Sequence, residues 1–239
     1  MHEEPYRWLE AIQNRREYIV DQIKEGTPVF ALSRPEGVLL LGVGSGQSKI
    51  FEIFDRHGLA ALGNPVDIEK LRQTAIEAAH TEGFNRSSDD VTLRRLVSFS
   101  LSPALKNSFE QIFLPPNMVE SILAEVGPTP SKDAIVRLRF DGNHEYSSSG
   151  IAVASPVWGT ESIAAEWLRE TINKGDKLGD IVSLCLTAWK ALNDDNLNDG
   201  LKVPNKKVLN IPGKTVEAVL LDRKPKGNVH YRSLDTTDL

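Results

Sequence analysis

Strand-forming runs in this chain come in groups, and each gap between groups holds a pair of helical stretches, never a single helix. After a leading helix come four short apolar runs bounded by turn residues: "PVFAL", "GVLLLGV", "KIFEI" and "GLAALG". "SRPEG", with Pro35 and Gly37, joins the first two as a hairpin. Two helical stretches follow. "PVDIEKLRQTAIEAAHTEGF" sets Ile68, Leu71, Ala75 and Ala78 on one stripe. "SDDVTLRRLVSFSL" starts at a serine or aspartate cap, and helix resumes after Pro103 in "ALKNSFEQIF". Beyond Pro115-Pro116 the strands are "MVESILAEVG", "AIVRLRFDG" and "GIAVAS". Helices "ESIAAEWLRETIN" and "LGDIVSLCLTAWKALN" come next, and "TVEAVLLDR" with "NVHYRSL" closes the chain as a strand pair. A doubly wound parallel sheet needs a single crossover helix between successive strands. This order therefore predicts an α+β fold of antiparallel sheets covered by helix layers. With no composition break, repeat or low-complexity linker, residues 1–239 read as one domain.

The leading helix, "PYRWLEAIQNRREYIVDQIKEG", carries Trp8, Ile12, Ile19 and Ile23 on one face. Pro5 suits its first turn and Gly26 its stop.

"GVGSGQSKIFEIF", residues 42–54, has the look of a phosphate loop: three glycines, a serine and a lysine after an apolar run. The match fails in detail. A P-loop needs glycine directly before the lysine and Ser or Thr directly after it; here Ser48 and Ile50 flank Lys49. In the dinucleotide pattern Gly42 and Gly44 fit, but Gly46 falls one residue early. "KIFEIFD" is too brief an alternation to open an amphipathic helix and reads as a strand. The stretch is a glycine-rich turn between strands.

Charged residues make up 26% and hydrophobic ones 40%, as in soluble globular chains. A net charge of −5 argues against a nucleic-acid partner, which calls for a basic face. The single cysteine, Cys185, lies in a helical run and reads as a small buried hydrophobe; no disulfide framework is possible, which fits a reducing cytoplasm. "MHEEPYRW" is acidic without an apolar signal core, and no run reaches membrane-spanning length, so a cytoplasmic protein with no membrane partner is expected. His57 and His80 are too isolated for a metal site and read as helix-surface or core-edge residues; no cofactor is expected. Arg15-Arg16 and Arg94-Arg95 read as solvated or interfacial helix faces, and the terminal "TTDL" as a flexible tail.

Taken in order, "EGTPVFAL", "EGVLLLG", "SKIFEIFDRHGLAALG", "DIEKLRQTAIEAAHTEGF" and "DDVTLRRL" resemble the alpha-type subunits of the 20S proteasome, in particular the bacterial kind. The likeness continues more loosely through "WGTESIAAEWLRE" and "TVEAVLLDR", so that it spans nearly the whole chain. No single motif is a fingerprint, but their joint order and spacing are specific. The resemblance implies the four-layer αββα sandwich of N-terminal-nucleophile hydrolases. It also implies a non-catalytic subunit of heptameric outer rings that cap rings of catalytic beta subunits and admit unfolded chains for proteolysis.

That fold family also contains catalysts, which use an N-terminal threonine freed by cleavage after glycine. Gly26-Thr27 sits where such a junction would fall, so a self-processing threonine peptidase with Thr27 as nucleophile is the competing expectation. Three features oppose it. Counting from Thr27, Val43 occupies the place of the family aspartate that orients the catalytic lysine, and an apolar side chain cannot do that. Pro28 stands where the enzymes prefer a backbone N–H. The late Asp…Ser-Gly-Gly cluster of beta-type sites matches only "NDDNLNDGLKVPNKK", which offers Asp194, Asp195 and Asp199 but no serine. Thr27 is then an ordinary strand-start residue. A free-standing ring or adaptor of this fold is a further alternative.

By the same resemblance, Lys49 lines a pocket between ring neighbours where the terminal carboxylate of a ring-shaped ATPase or other activator docks. Gly26 would offer backbone to that tail, and Gly63 and Asn64 the pocket's other wall, although "GNP" departs from the family's usual sequence. Without the resemblance, Lys49 reads as an exposed lysine with no partner. Residues 1–25 would supply the gate segment and amphipathic helix, with His2, Glu3 and Glu4 at the gate. The long Tyr-rich N-terminal segment of archaeal and eukaryotic alpha subunits has no counterpart in "MHEE".

Overall fold

A computed structural model describes residues 4–173, 175–193, 201–204, 206–225, 227 and 229–235, with side chains from Arg7 onward. A first helix, α1 (Glu4–Ile23), leads into strands β1 (Val29–Ser33), β2 (Gly37–Gly44), β3 (Ile50–Phe54) and β4 (His57–Gly63). Helix α2 (Pro65–Asn85), the short α3 (Leu93–Arg95) and α4 (Ser102–Glu110) follow. Then come β5 (Val119–Glu125), β6 (Ala134–Arg139), β7 (His144–Tyr146), β8 (Ile151–Ala154), α5 (Thr160–Thr171), α6 (Leu178–Asn193), β9 (Thr215–Asp222) and β10 (Tyr231–Leu234).

The strands form two five-stranded sheets, ordered β10-β9-β2-β1-β8 and β3-β4-β5-β6-β7, and every pairing is antiparallel. Side-chain alternation along a strand sends successive residues to opposite faces. In β2, Leu39, Leu41 and Val43 face α5 and α6, while Val38 and Leu40 meet the second sheet. In the second sheet Ala60, Leu62, Ile122 and Ala124 face inward, and Leu59, Ala61, Val119 and Leu123 pack under α2 and the α3–α4 segment. The result is helix, sheet, sheet, helix: the four-layer sandwich. All of β2 is buried because both its faces are covered, which explains its near-continuous leucine and valine run.

The α3–α4 segment differs from the expected helix with a serine or aspartate cap that resumes after Pro103. Ser88–Asp90 is an isolated 3-10 turn, and the N-cap is Thr92, whose hydroxyl accepts from the Arg95 amide. Leu96–Leu101 is π-helical, with the Ser102 N–H reaching back to the Val97 carbonyl. Pro103 cannot donate to the turn before it, and a π turn immediately upstream absorbs that mismatch, so the helix passes through the proline instead of restarting after it. The short β7 was invisible in sequence because "HEY" is three residues long and polar.

Helix α1 lies across one open end of the sandwich. Ile19 and Ile23 insert between the sheets, with Ile12 partly buried beside them. Each of the two buried isoleucines contributes roughly 1.5–3 kcal/mol of burial. Trp8, expected on that face, is 45% exposed: it lies about 6 Å farther along the axis than Ile12 and overshoots the sheets. The paired arginines make contacts within the chain, although Arg94 stays exposed and Arg16 partly so. Arg15 donates to the carbonyls of Ser108 and Leu114, at 3.1 and 2.8 Å, closing off the end of α4. Arg16 pairs with the buried Asp141 at 2.8 Å and lies over the rings of Phe109 and Phe140. Arg95 likewise binds Glu82 at 2.6 Å, and Arg94 stacks on Tyr146.

Candidate functional site

The end of the sandwich beneath α1 gathers the residues singled out in the sequence. Gly26 follows α1 in a tight turn, its N–H donating to Ile23 at 2.8 Å. A methyl group there would sit 3.1 Å from Leu62 and 3.5 Å from the Gly63 amide, so glycine lets this turn lie against the end of β4. Gly63 itself has φ of 122°, and any side chain would collide with the Met118 carbonyl at 2.1 Å. Asn64 caps α2: its Oδ1 accepts from the Val66 amide at 2.9 Å, and Pro65 opens the first turn. "GNP" is thus a strand-to-helix junction, with the Asn64 side chain engaged in the cap.

The glycine-rich stretch is a β2–β3 turn with no helix after it, which removes the phosphate-loop geometry. Its glycines serve the lysine. Added carbons at Gly42 and Gly44 would meet the Lys49 stem at 3.3 and 3.6 Å, so their bareness gives that stem a channel along the inner face of β2. Lys49 Nζ donates to the Thr27 carbonyl at 3.1 Å and to the Thr27 hydroxyl. The hydroxyl donates in turn to the Val43 carbonyl at 2.5 Å. At the base of the side chain, Glu217 on β9 accepts from the amides of Lys49 and Ile50 at 3.0 and 3.3 Å. Lys214 holds the turn from outside through Ser45 at 2.9 Å, and the Tyr231 hydroxyl donates to the Ile50 carbonyl at 3.2 Å.

Lys49 is therefore partly buried and hydrogen-bonded, not an exposed lysine without partners. Burial brings its pKa down to about 8; Glu217 opposes the shift and Lys214 adds to it. No carboxylate pairs with the ammonium among the described residues; the Oε2 of Glu217 instead accepts from two backbone amides. Thr27 lies two residues ahead of β1, not at the strand start, and its hydroxyl bridges Lys49 and Val43. Glu217 was missed in sequence; the signal was one acidic residue on the inward-facing register of an otherwise apolar strand, opposite Gly42.

His2 and Glu3 lie outside the described residues, as do residues 194–200 and 236–239; Glu4 opens α1. His57 is buried in β4, with Nε2 3.6 Å from Glu125, so it belongs to the core and not to a helix surface. Cys185 is fully buried, and burial pushes its thiol up to about 12, which makes it unreactive. Among the described residues no cluster of His, Cys, Asp or Glu is placed to hold a metal ion, and no helix is long and apolar enough to cross a membrane.

Two five-stranded antiparallel sheets between helix layers form the αββα sandwich of N-terminal-nucleophile folds. No family model matches the chain. Relatives named proteasome subunit alpha do. The protein of Streptomyces scabiei is 30% identical over 216 residues, covering 90% of this chain and 81% of the relative. That of Actinosynnema mirum is 31% identical over 214 residues, with 89% and 76% covered. That of Renibacterium salmoninarum is 32% identical over 186 residues, with 76% and 74% covered. The chain belongs to the proteasome alpha-subunit family.

Proposed function

We propose that this chain is a non-catalytic subunit of an intracellular proteasome, folded as one domain and acting in the cytoplasm. It forms heptameric outer rings that cap rings of catalytic beta subunits, and it receives the C-terminal carboxylate of a ring-shaped ATPase or other activator at Lys49. His2, Glu3 and Glu4, the last of which opens α1, contribute to the gate. The observation that carries the docking reading is the Lys49 ammonium itself: held in place and largely desolvated, with Glu217 nearby but no carboxylate in direct contact with it among the described residues. A carboxylate arriving from outside supplies the missing partner. Gly26, next to Thr27 in the chain, lies against Gly63 at the end of β4, so that stretch of backbone carries no side chains.

The non-catalytic reading rests on Thr27. A nucleophile of this class needs its own free amine as base, which Thr27 would gain only by cleavage after Gly26. Val43 offers Thr27 a backbone carbonyl and no carboxylate. Thr27→Ala in an assembled particle is expected to leave peptide hydrolysis within about twofold, since only local hydrogen bonds are lost. A fall of several orders of magnitude in intact particles would make Thr27 the nucleophile instead.

A further inference from the structure

Two groups around Lys49 are arranged so that neither the ammonium nor the base of its side chain can wander. The Thr27 hydroxyl commits its proton to Val43, so its oxygen is left to accept from Lys49 Nζ while the Thr27 carbonyl accepts a second N–H. Among the described residues, the third N–H of the ammonium stays available. Glu217 spends its carboxylate on the amides of Lys49 and Ile50, fixing the residue from which the flexible stem departs. We infer that Thr27 and Glu217 are positioning residues for the Lys49 ammonium, setting where an incoming carboxylate meets it. The inference rests on the docking reading above. It gives the contact of threonine and lysine a role in recognition: an ordered ammonium loses less rotamer freedom on docking than a free lysine would.

The charged and titratable groups facing this pair are few. Glu217 comes from β9 and Lys214 from the turn before it, while Tyr231 of β10 lies near both Glu217 and Glu52 of β3. Removing the Thr27 hydroxyl deprives the charged amine of an acceptor, and neutralising Glu217 removes the one charge that favours it. Both changes make the ammonium easier to deprotonate.

The test uses the full-length chain as wild type, Thr27→Val, Thr27→Ser and Glu217→Gln. Pulsed acetylation from about pH 6 to about pH 10, read at Lys49 by peptide mass spectrometry, gives the titration of its amine. The wild-type midpoint is expected near 8. Thr27→Val and Glu217→Gln should bring it below about 7, and Thr27→Ser should restore it. In assembled particles, a labelled alanine-rich peptide with a free carboxylate, but not its C-terminal amide, should bind. The same two variants should weaken it at least about tenfold, with Thr27→Ser within about twofold of wild type. Unmoved midpoints with unchanged binding of the carboxylate peptide would overturn the positioning role alone. Equal binding of amide and carboxylate by wild type would instead overturn the docking reading.

Discussion

Lys49→Ala should abolish most activator-dependent degradation of protein substrates while leaving ring assembly and basal hydrolysis of small peptides intact. The lysine contributes to no sheet hydrogen bond through its side chain, so its loss costs the fold little. Docking is another matter. Truncating one member of a desolvated charge pair costs on the order of 2–5 kcal/mol, which is about 30-fold to several thousandfold in affinity per site. Repetition around a ring multiplies the loss through avidity. Lys49→Arg should rescue only in part, because the guanidinium fork is wider than the channel that Gly42 and Gly44 leave for an alkyl ammonium. The pH dependence follows from the amine's lowered pKa. Docking needs the charged form, so it should be full below about 8 and fall as pH rises through that value. Binding assays of activator-tail peptides across this range would show it; tight binding by Lys49→Ala would contradict it. Specific ATP binding lost on that substitution would revive the phosphate-loop reading.

A second large effect is expected at the opposite end of the sandwich. Arg223, just after β9, and Asp133, just before β6, form a buried two-pronged pair at 2.7 and 2.9 Å that ties one sheet to the other. Every guanidinium N–H is used: the others go to the carbonyls of Pro35, Arg34 and Gly127. Asp133 also accepts from the Gly127 amide and the Ser33 hydroxyl, at 2.8 and 2.5 Å. Arg223→Leu leaves that carboxylate buried and unpaired, which should cost roughly 3–5 kcal/mol, a large share of a domain's stability. Arg223→Lys should recover little, since an ammonium cannot reproduce five donors in a planar fork. Replacing both partners by leucine should be less damaging than the single change, because no orphan charge remains. Urea unfolding should register these differences in the midpoint at constant slope. An Arg223→Leu variant as stable as wild type would remove the pair from any structural role.

Element order and sheet type were legible because periodicity and turn residues agree along most of the chain. The β1–β2 hairpin, the buried β2 and the α5–α6 pair follow from local pattern. What was not legible depends on contacts distant in sequence. Nothing local in "VTLRRLVSFSLSP" announces a π turn, because the register around Pro103 is settled by packing on the second sheet. Arg15 and Arg16 read as surface residues until α4 and Asp141 are brought against α1. At the site, Lys49 stood out through its glycine-rich setting, and Gly26, Gly63 and Asn64 lie where the chain turns at the same end. The Thr27 contact and Glu217 stayed hidden, since they join residues 22 and 168 positions apart.

Whether this subunit is scaffold or catalyst can be read from one quantity: its intact mass when recovered from hydrolytically active particles. A non-catalytic subunit keeps the Gly26–Thr27 bond and the α1 segment that seals the sandwich, so the expected mass includes residues 1–26. A chain beginning at Thr27, with its amine freed, would contradict the account.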